Sequence, residues 1–130
     1  MNESIRKALL KMAGWKISQK LIGWGLIHVP GALPIEILRQ NTHWMAFSHP
    51  NPSYPVHIVI VPKSAWADLL AVDSSDPGIW QELIELSQSM IRDFELTAAG
   101  YRLITNGGPF QTFPLLHFHL VAGEPVSEKL

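Results

Sequence analysis

A chain of 130 residues with 47% apolar content fits one soluble globular domain, large enough to bury a core without staples. It has no cysteine, which excludes disulfides and thiolate chemistry and leaves any metal site to histidine and carboxylate. Ten Lys and Arg against eleven Asp and Glu give a net charge of −1, and the absence of a dense basic stripe argues against a nucleic-acid polymer as the main partner.

The charge is unevenly placed. Before residue 30 lie Arg6, Lys7, Lys11, Lys16 and Lys20 against Glu3 alone. From Ser4 onward, Ile5, Ala8, Leu9, Met12 and Trp15 recur at helical spacing with Arg6, Lys7 and Lys11 off the stripe. This predicts a short amphipathic helix that needs something to dock on: the domain, a second subunit or an anionic surface. Lys16 interrupts the stripe and favours packing against protein over a membrane surface. The longest apolar run, Leu21 to Val29, holds Gly23, Gly25 and His28 and is too short to cross a bilayer. No small-x-small cleavage site follows it, so a cytoplasmic location is expected.

Gly23, Gly25, Pro30, Gly31 and Pro34 mark a connector. Pro34 to Arg39 and His43 to Phe47 read as two short strands of a hairpin joined by the polar turn Gln40 to Thr42. The proline-rich run Ser48 to Pro55 lacks the amide donors of a ladder and is expected as a surface loop. Val56 to Val61 is apolar on both faces, as in a central strand covered on both sides, and His57 sits inside it. Ser64 is placed to cap a short helix through Val72 with Trp66, Leu69 and Leu70 facing inward. Asp76-Pro77 is a cap followed by a first-turn proline. A long helix then runs to about Leu96, with Trp80, Leu83, Ile84, Ser87, Ile91 and Phe94 on its core face. After Gly100, Tyr101 to Thr105 predicts a strand that ends in Asn106-Gly107-Gly108-Pro109.

The last strand carries the chemistry. In the run Gln111 to Gly123, side-chain alternation puts Leu115, His117, His119 and Val121 on one face and Leu116, Phe118 and Leu120 on the other. Two imidazoles side by side are costly to bury without partners, which points to a reactive face rather than two core histidines. The element order predicts an α+β fold: an antiparallel sheet of about five strands, with one long and one short helix on one face and the N-terminal amphipathic helix added. Leu116, Phe118 and Leu120 then lie beneath the long helix, and His117 and His119 are exposed on the open face. The chain divides into a helical extension (1–20), a domain (21–123) and a tail (124–130) with little to order it.

Three stretches carry a resemblance: W-M-A-F-S-H-P-N-P at Trp44 to Pro52, H-I-V-I-V-P-K at His57 to Lys63, and N-G-G-P-F-Q-T-F-P-L-L-H-F-H-L-V-A-G at Asn106 to Gly123. In order and spacing they resemble the histidine triad (HIT) superfamily of nucleotide hydrolases and transferases, in particular its Hint branch of nucleoside phosphoramidases. The resemblance implies a HIT-like fold for residues 21–123 and does not reach the N-terminal extension. The family motif is His-x-His-x-His, and Leu115 stands where the first histidine belongs. His117 matches the family's nucleophile, His119 the third histidine, and His57 the upstream histidine that packs near the triad. Asn106, Gln111 and Thr112 match the polar turn that contacts phosphate, and His49 takes the place of an aspartate that holds the ribose hydroxyls. The family further implies a nucleoside monophosphate or purine nucleotide as ligand, no cofactor or metal, and a homodimer with sheets joined edge to edge.

Histidine attacks phosphorus only as neutral imidazole, so one ring nitrogen must keep its lone pair while the other gives its proton to a fixed acceptor. In the family that acceptor is the backbone carbonyl of the first motif residue, which leucine supplies as well as histidine. His119, Thr112 and the amides of the glycine turn are then candidates to offset charge building on the phosphoryl oxygens. Hydrolysis through a nucleotidyl-histidine intermediate on His117 is the leading expectation. Two others stand beside it: a catalytically weak nucleotide-binding protein, motivated by Leu115 and His49, and a metal site built on His57, His117 and His119.

Overall fold

The computed structural model describes residues 35–126 together with Gly25 and Ile27. The N-terminal amphipathic helix, most of the connector and the last four residues of the tail lie outside the described residues. Five strands, β1 (Ile37–Gln40), β2 (Trp44–Ser48), β3 (Val56–Pro62), β4 (Tyr101–Thr105) and β5 (Phe118–Ala122), form one sheet in the order β1-β2-β3-β5-β4. Every neighbouring pair is antiparallel. The central position of β3 follows from its sequence, since a run of β-branched residues with no polar face is stable only when covered on both sides.

The β1–β2 hairpin turns at Asn41, whose side-chain oxygen accepts from Trp44 N–H at 2.9 Å. Its side-chain amide reaches Glu82 O at 3.0 Å, Thr42 N–H meets the Glu82 carboxylate at 2.8 Å, and His43 Nδ1 meets the same carboxylate. One turn of helix α1 (Pro77–Asp93) thus holds the hairpin in place. Asp76 caps α1 by accepting from Gly78 N–H at 2.9 Å, with Pro77 in the first turn as expected. Its C-terminus closes with Leu96 N–H on Ile91 O (3.0 Å) and Glu95 N–H on Arg92 O (3.2 Å), with Glu95 at φ 55°. That is the bond pattern that usually places glycine in the left-handed position.

The core lies between α1 and one sheet face. Trp44, fully enclosed, is at its centre: its indole N–H donates to Ile79 O at 2.7 Å, and its ring meets Trp66, Trp80 and Phe118. Ile58, Ile60, Leu116, Phe118 and Leu120 face this side, so the alternation read from the last strand holds.

Three expectations are corrected. The buried face of α1 is Ile79, Leu83, Leu86, Ser87 and Met90, while Ile84 and Phe94 are exposed. The apolar residues of this helix wrap wider than one stripe, and Arg39 stacks on the outward Phe94 with its guanidinium carbon 5.1 Å from the ring centre. No helix starts at Ser64: a single 3-10 turn covers Leu69–Ala71, capped by Asp68, and Leu70 is 94% exposed. Trp66 O instead accepts from Leu116 N–H at 2.9 Å, an extended pairing that competes with helix formation there.

The third correction concerns the far side of the sheet, which is not open. Residues 111–117 do not extend β5. They fold so that Leu115 and Phe113 pack with Met45, Phe47, Val59 and Val61. His117 and His119, expected to be exposed, are 8% and 4% exposed. Covering an apolar face with Leu115 outweighs continuing a strand through Pro114, which has no amide to donate.

Candidate functional site

Sheet register brings the histidines together. Val59 is the partner of His119 and Val121 the partner of His57 across the β3–β5 pair, so both imidazoles project from the far face two positions apart along the ladder. The result is a 2.8 Å contact between His57 Nε2 and His119 Nδ1. His49, just past β2, stacks on His57 with ring centres 4.4 Å apart, and His117 meets His119 edge-on at 4.9 Å. Four imidazoles from three parts of the chain therefore form one continuous cluster.

Main-chain groups hold the cluster at both ends. His117 Nδ1 lies 2.8 Å from Leu115 O; a carbonyl only accepts, so the proton is on Nδ1 and Nε2 keeps its lone pair. The Thr105 hydroxyl donates to His117 O at 2.8 Å, anchoring that residue to the end of β4. At the other end Ser53 N–H donates to His57 Nδ1 at 3.0 Å, and Asn51 N–H to His49 Nδ1 at 2.9 Å. Gly123 permits this loop to sit close: it has φ +83°, and a Cβ there would lie 3.1 Å from the Pro55 ring.

Burial pushes all four rings toward the neutral form. Desolvation, with mutual repulsion among the rings, lowers His57 to about 4 and His119 to about 3. His49 is lowered by the same two causes. His117 is lowered by desolvation and partly restored by its bond to Leu115. Neutrality is the state a histidine nucleophile needs, and of the three most enclosed rings His117 keeps the most contact with solvent.

The loop residues divide. Asn106 follows β4 directly, next to the threonine that anchors His117, and is half-buried. Gln111 is used elsewhere: its amide nitrogen donates to Ala67 O at 2.6 Å and Phe113 O at 2.9 Å, which ties the 3-10 turn Gly108–Phe110 down and leaves only its oxygen for a ligand. Thr112 is exposed beside it. Three contributors were not singled out from sequence: Ser53 through its amide, Thr105 through its hydroxyl, and Phe113, whose ring stands edge-on to His117 at 6.1 Å. Only the proximity of Phe113 to the motif was a signal; the other two depend on register and loop closure.

A three-histidine metal centre does not fit this geometry. His57 and His119 spend facing nitrogens on each other, and the remaining nitrogen of His57 is taken by Ser53 N–H. Among the described residues no group of three or more His, Asp or Glu is placed to share an ion.

A HIT domain model matches residues 31–126. A HIT-like protein of Synechococcus elongatus is 32% identical over 97 residues, which is 73% of this chain and 84% of that protein. A 13.2 kDa HIT-like protein of Azospirillum brasilense is 30% identical over 100 residues, covering 72% and 79% respectively. Among solved structures, a HIT family hydrolase from Clostridium thermocellum superposes with a TM-score of 0.68 at 28% identity, covering 85% of this chain and 95% of that one. A histidine triad protein from Clostridium difficile does so with 0.70 at 25%, covering 79% and 90%. With its antiparallel five-stranded sheet, the one long helix among its described residues and a family match over most of its length, this chain belongs to the HIT family.

Proposed function

We propose that the protein hydrolyses nucleoside monophosphate derivatives carrying a phosphoramidate or related leaving group, through a nucleotidyl-histidine intermediate on His117. The observation that carries this reading is the 2.8 Å contact between His117 Nδ1 and Leu115 O, which reserves Nε2 as a lone pair although the first motif histidine is replaced. Nε2 forms the bond to phosphorus as the bond to the leaving nitrogen breaks, and the departing amine takes a proton from solvent. The proton stays on Nδ1, donated as a hydrogen bond to Leu115 O, and that bond stabilises the cationic adduct. Water then attacks phosphorus, the electron pair returns to Nε2, and a proton leaves to solvent. A cleft of about 400 Å³ bordered by Ser48, His49, Pro52, His57 and Phe94 adjoins the cluster and supports a place for a ribose or base.

Turnover of an adenosine phosphoramidate reporter tests the reading. Wild type is expected to release the amine and His117→Ala to be inert; equal rates for the two proteins would overturn it. The second reading, a nucleotide-binding protein with little catalysis, is favoured by the low exposure of His117 and by Gln111 being spent on main-chain carbonyls. Calorimetry showing adenosine monophosphate binding without turnover would select it. The same proposal includes a cytoplasmic setting and a homodimer. The dimer is supported by β4, an edge strand with Tyr101 and Leu103 exposed, and light scattering giving a monomer mass would remove it.

A further inference from the structure

His57 is bonded at both nitrogens, one facing Ser53 N–H and the other facing His119 Nδ1, so its bonds run to neither Leu115 O nor the His117 attack atom. The direction of those bonds follows from elementary bookkeeping. Ser53 N–H is a main-chain amide and only donates, so His57 Nδ1 accepts. A neutral imidazole has one proton, which His57 therefore holds on Nε2 and directs at His119 Nδ1, 2.8 Å away. His119 Nδ1 is then an acceptor as well, and its own proton sits on Nε2. The polarity of the whole chain originates in a peptide group, which has no second protonation state to adopt.

We propose that His57 is a positioning residue that holds His119 as a neutral donor, so that His119 offers Nε2–H to a phosphoryl oxygen without having to become imidazolium. The proposal rests on the reading of His117 as the nucleophile and adds a mode of action for its neighbour. His119 makes no covalent bond and gives up no proton; it contributes a fixed dipole where charge develops. The arrangement also rules out a relay from His57 to His119. Were His57 to pass on its Nε2 proton, its other nitrogen faces a donor that cannot be replaced by an acceptor, and imidazolate would result. His57 clamps; it does not conduct.

The consequence is a rate that holds as the pH rises. An imidazolium donor is lost above its pKa, whereas a neutral N–H is not. The titratable groups facing His119 are His57 from β3, His49 after β2 and His117 before β5, with Ile104 opposite it on β4 and Tyr54 edge-on to His57. The charges that act on His119 are those of the three histidines, and among the described residues none of them is a carboxylate that would hold a second proton on it.

The test combines a spectrum with a pH profile. Long-range 15N–1H correlation on the labelled full-length protein near pH 7.5 is expected to show His119 with a protonated Nε2 and an unprotonated Nδ1. His57→Gln offers an oxygen to Ser53 N–H and an amide N–H to His119, and is expected to keep both that tautomer and a reporter rate flat within about 3-fold above pH 7. His57→Glu offers acceptors on both sides. It should move the His119 proton to Nδ1 and make the rate fall by about 10-fold or more between pH 7 and pH 9 as His119 loses its second proton. A wild-type His119 protonated on Nδ1 would overturn the proposal, and so would a flat alkaline profile in a folded His57→Glu protein. If the Glu variant does not fold, the wild-type spectrum and the Gln variant decide between the same outcomes. The expected spectrum in a protein that turns over no phosphoramidate would support the clamp and sink the hydrolase reading, which keeps the two failures apart.

Discussion

Lowering the pH should destabilise this protein through its histidine cluster before its carboxylates titrate, and the size of the effect follows from the rings' environment. In the unfolded chain each histidine titrates near its ordinary 6.5, while in the fold burial and the neighbouring rings hold His57 at about 4 and His119 at about 3. Below 6.5 the unfolded state therefore binds more protons than the folded state, so stability rises with pH across this window. It is fully present above pH 6.5 and is lost as the pH falls toward the folded values. At pH 5 an unfolded histidine has gained about 2 kcal/mol of protonation free energy that a ring held near 3 or 4 has not, or roughly 4 kcal/mol for the pair. Because both rings keep some solvent contact that screens the mutual repulsion, about half of that is the expected loss. Urea midpoints at pH 7.5, 6.5, 5.8 and 5.0 measure it, with an unchanged m-value showing that the same transition is followed. A loss of about 2 kcal/mol by pH 5, reduced by about half in His57→Gln, is the expected result. Stability that is flat or rising on acidification would show that the rings are not held neutral and would undo the electrostatic argument for the site.

Three further perturbations separate packing from chemistry. Leu115→Ala empties a buried apolar position and should cost about 2–4 kcal/mol in chemical denaturation, yet it keeps the carbonyl that orients His117; reporter turnover by the folded protein should stay within a few-fold of wild type. A complete loss of activity would mean that the side chain itself takes part. Glu95→Gly removes a left-handed side-chain conformation at the end of α1 and should raise stability by about 1 kcal/mol, seen as a thermal midpoint several degrees higher, whereas a fall would show that the Glu95 side chain has a stabilising partner. Trp44→Phe deletes the indole N–H on Ile79 O and leaves a gap beside Trp66 and Trp80, for an expected cost of about 2–3 kcal/mol in the same denaturation experiment. A change below half a kcal/mol would show that the bond is not part of the core's stability.

The local order of the chain was legible because it depends on short-range rules. Prolines and glycines punctuate it, Asp76-Pro77 announces α1, and Tyr101–Thr105 appears with the bounds read from sequence. Two-residue alternation assigned Leu115 and His119 to one face and Phe118 and Leu120 to the other correctly, even though β5 starts only at Phe118. The short helix after Ser64 was misread because Trp66 gives its carbonyl to Leu116, a partner fifty positions away that no local pattern reveals. The inward face of α1 was misjudged for a related reason: where apolar residues wrap most of a helix, only the shape of what it packs against decides which of them are buried.

The site divides along the same line. His117, His119, His57 and His49 are conspicuous in the sequence as residue types, and so is the carbonyl before His117, since every residue at position 115 has one. What they do to one another was not written there. The register that aligns β3 with β5, the loop that delivers Ser53 N–H, and the fold of residues 111–117 across the far face belong to tertiary structure. These contacts determine which nitrogen of each ring carries its proton, and burial within them keeps the rings uncharged. Sequence supplied the reactive groups; distance and desolvation, which exist only after the chain has closed on itself, supplied their protonation states.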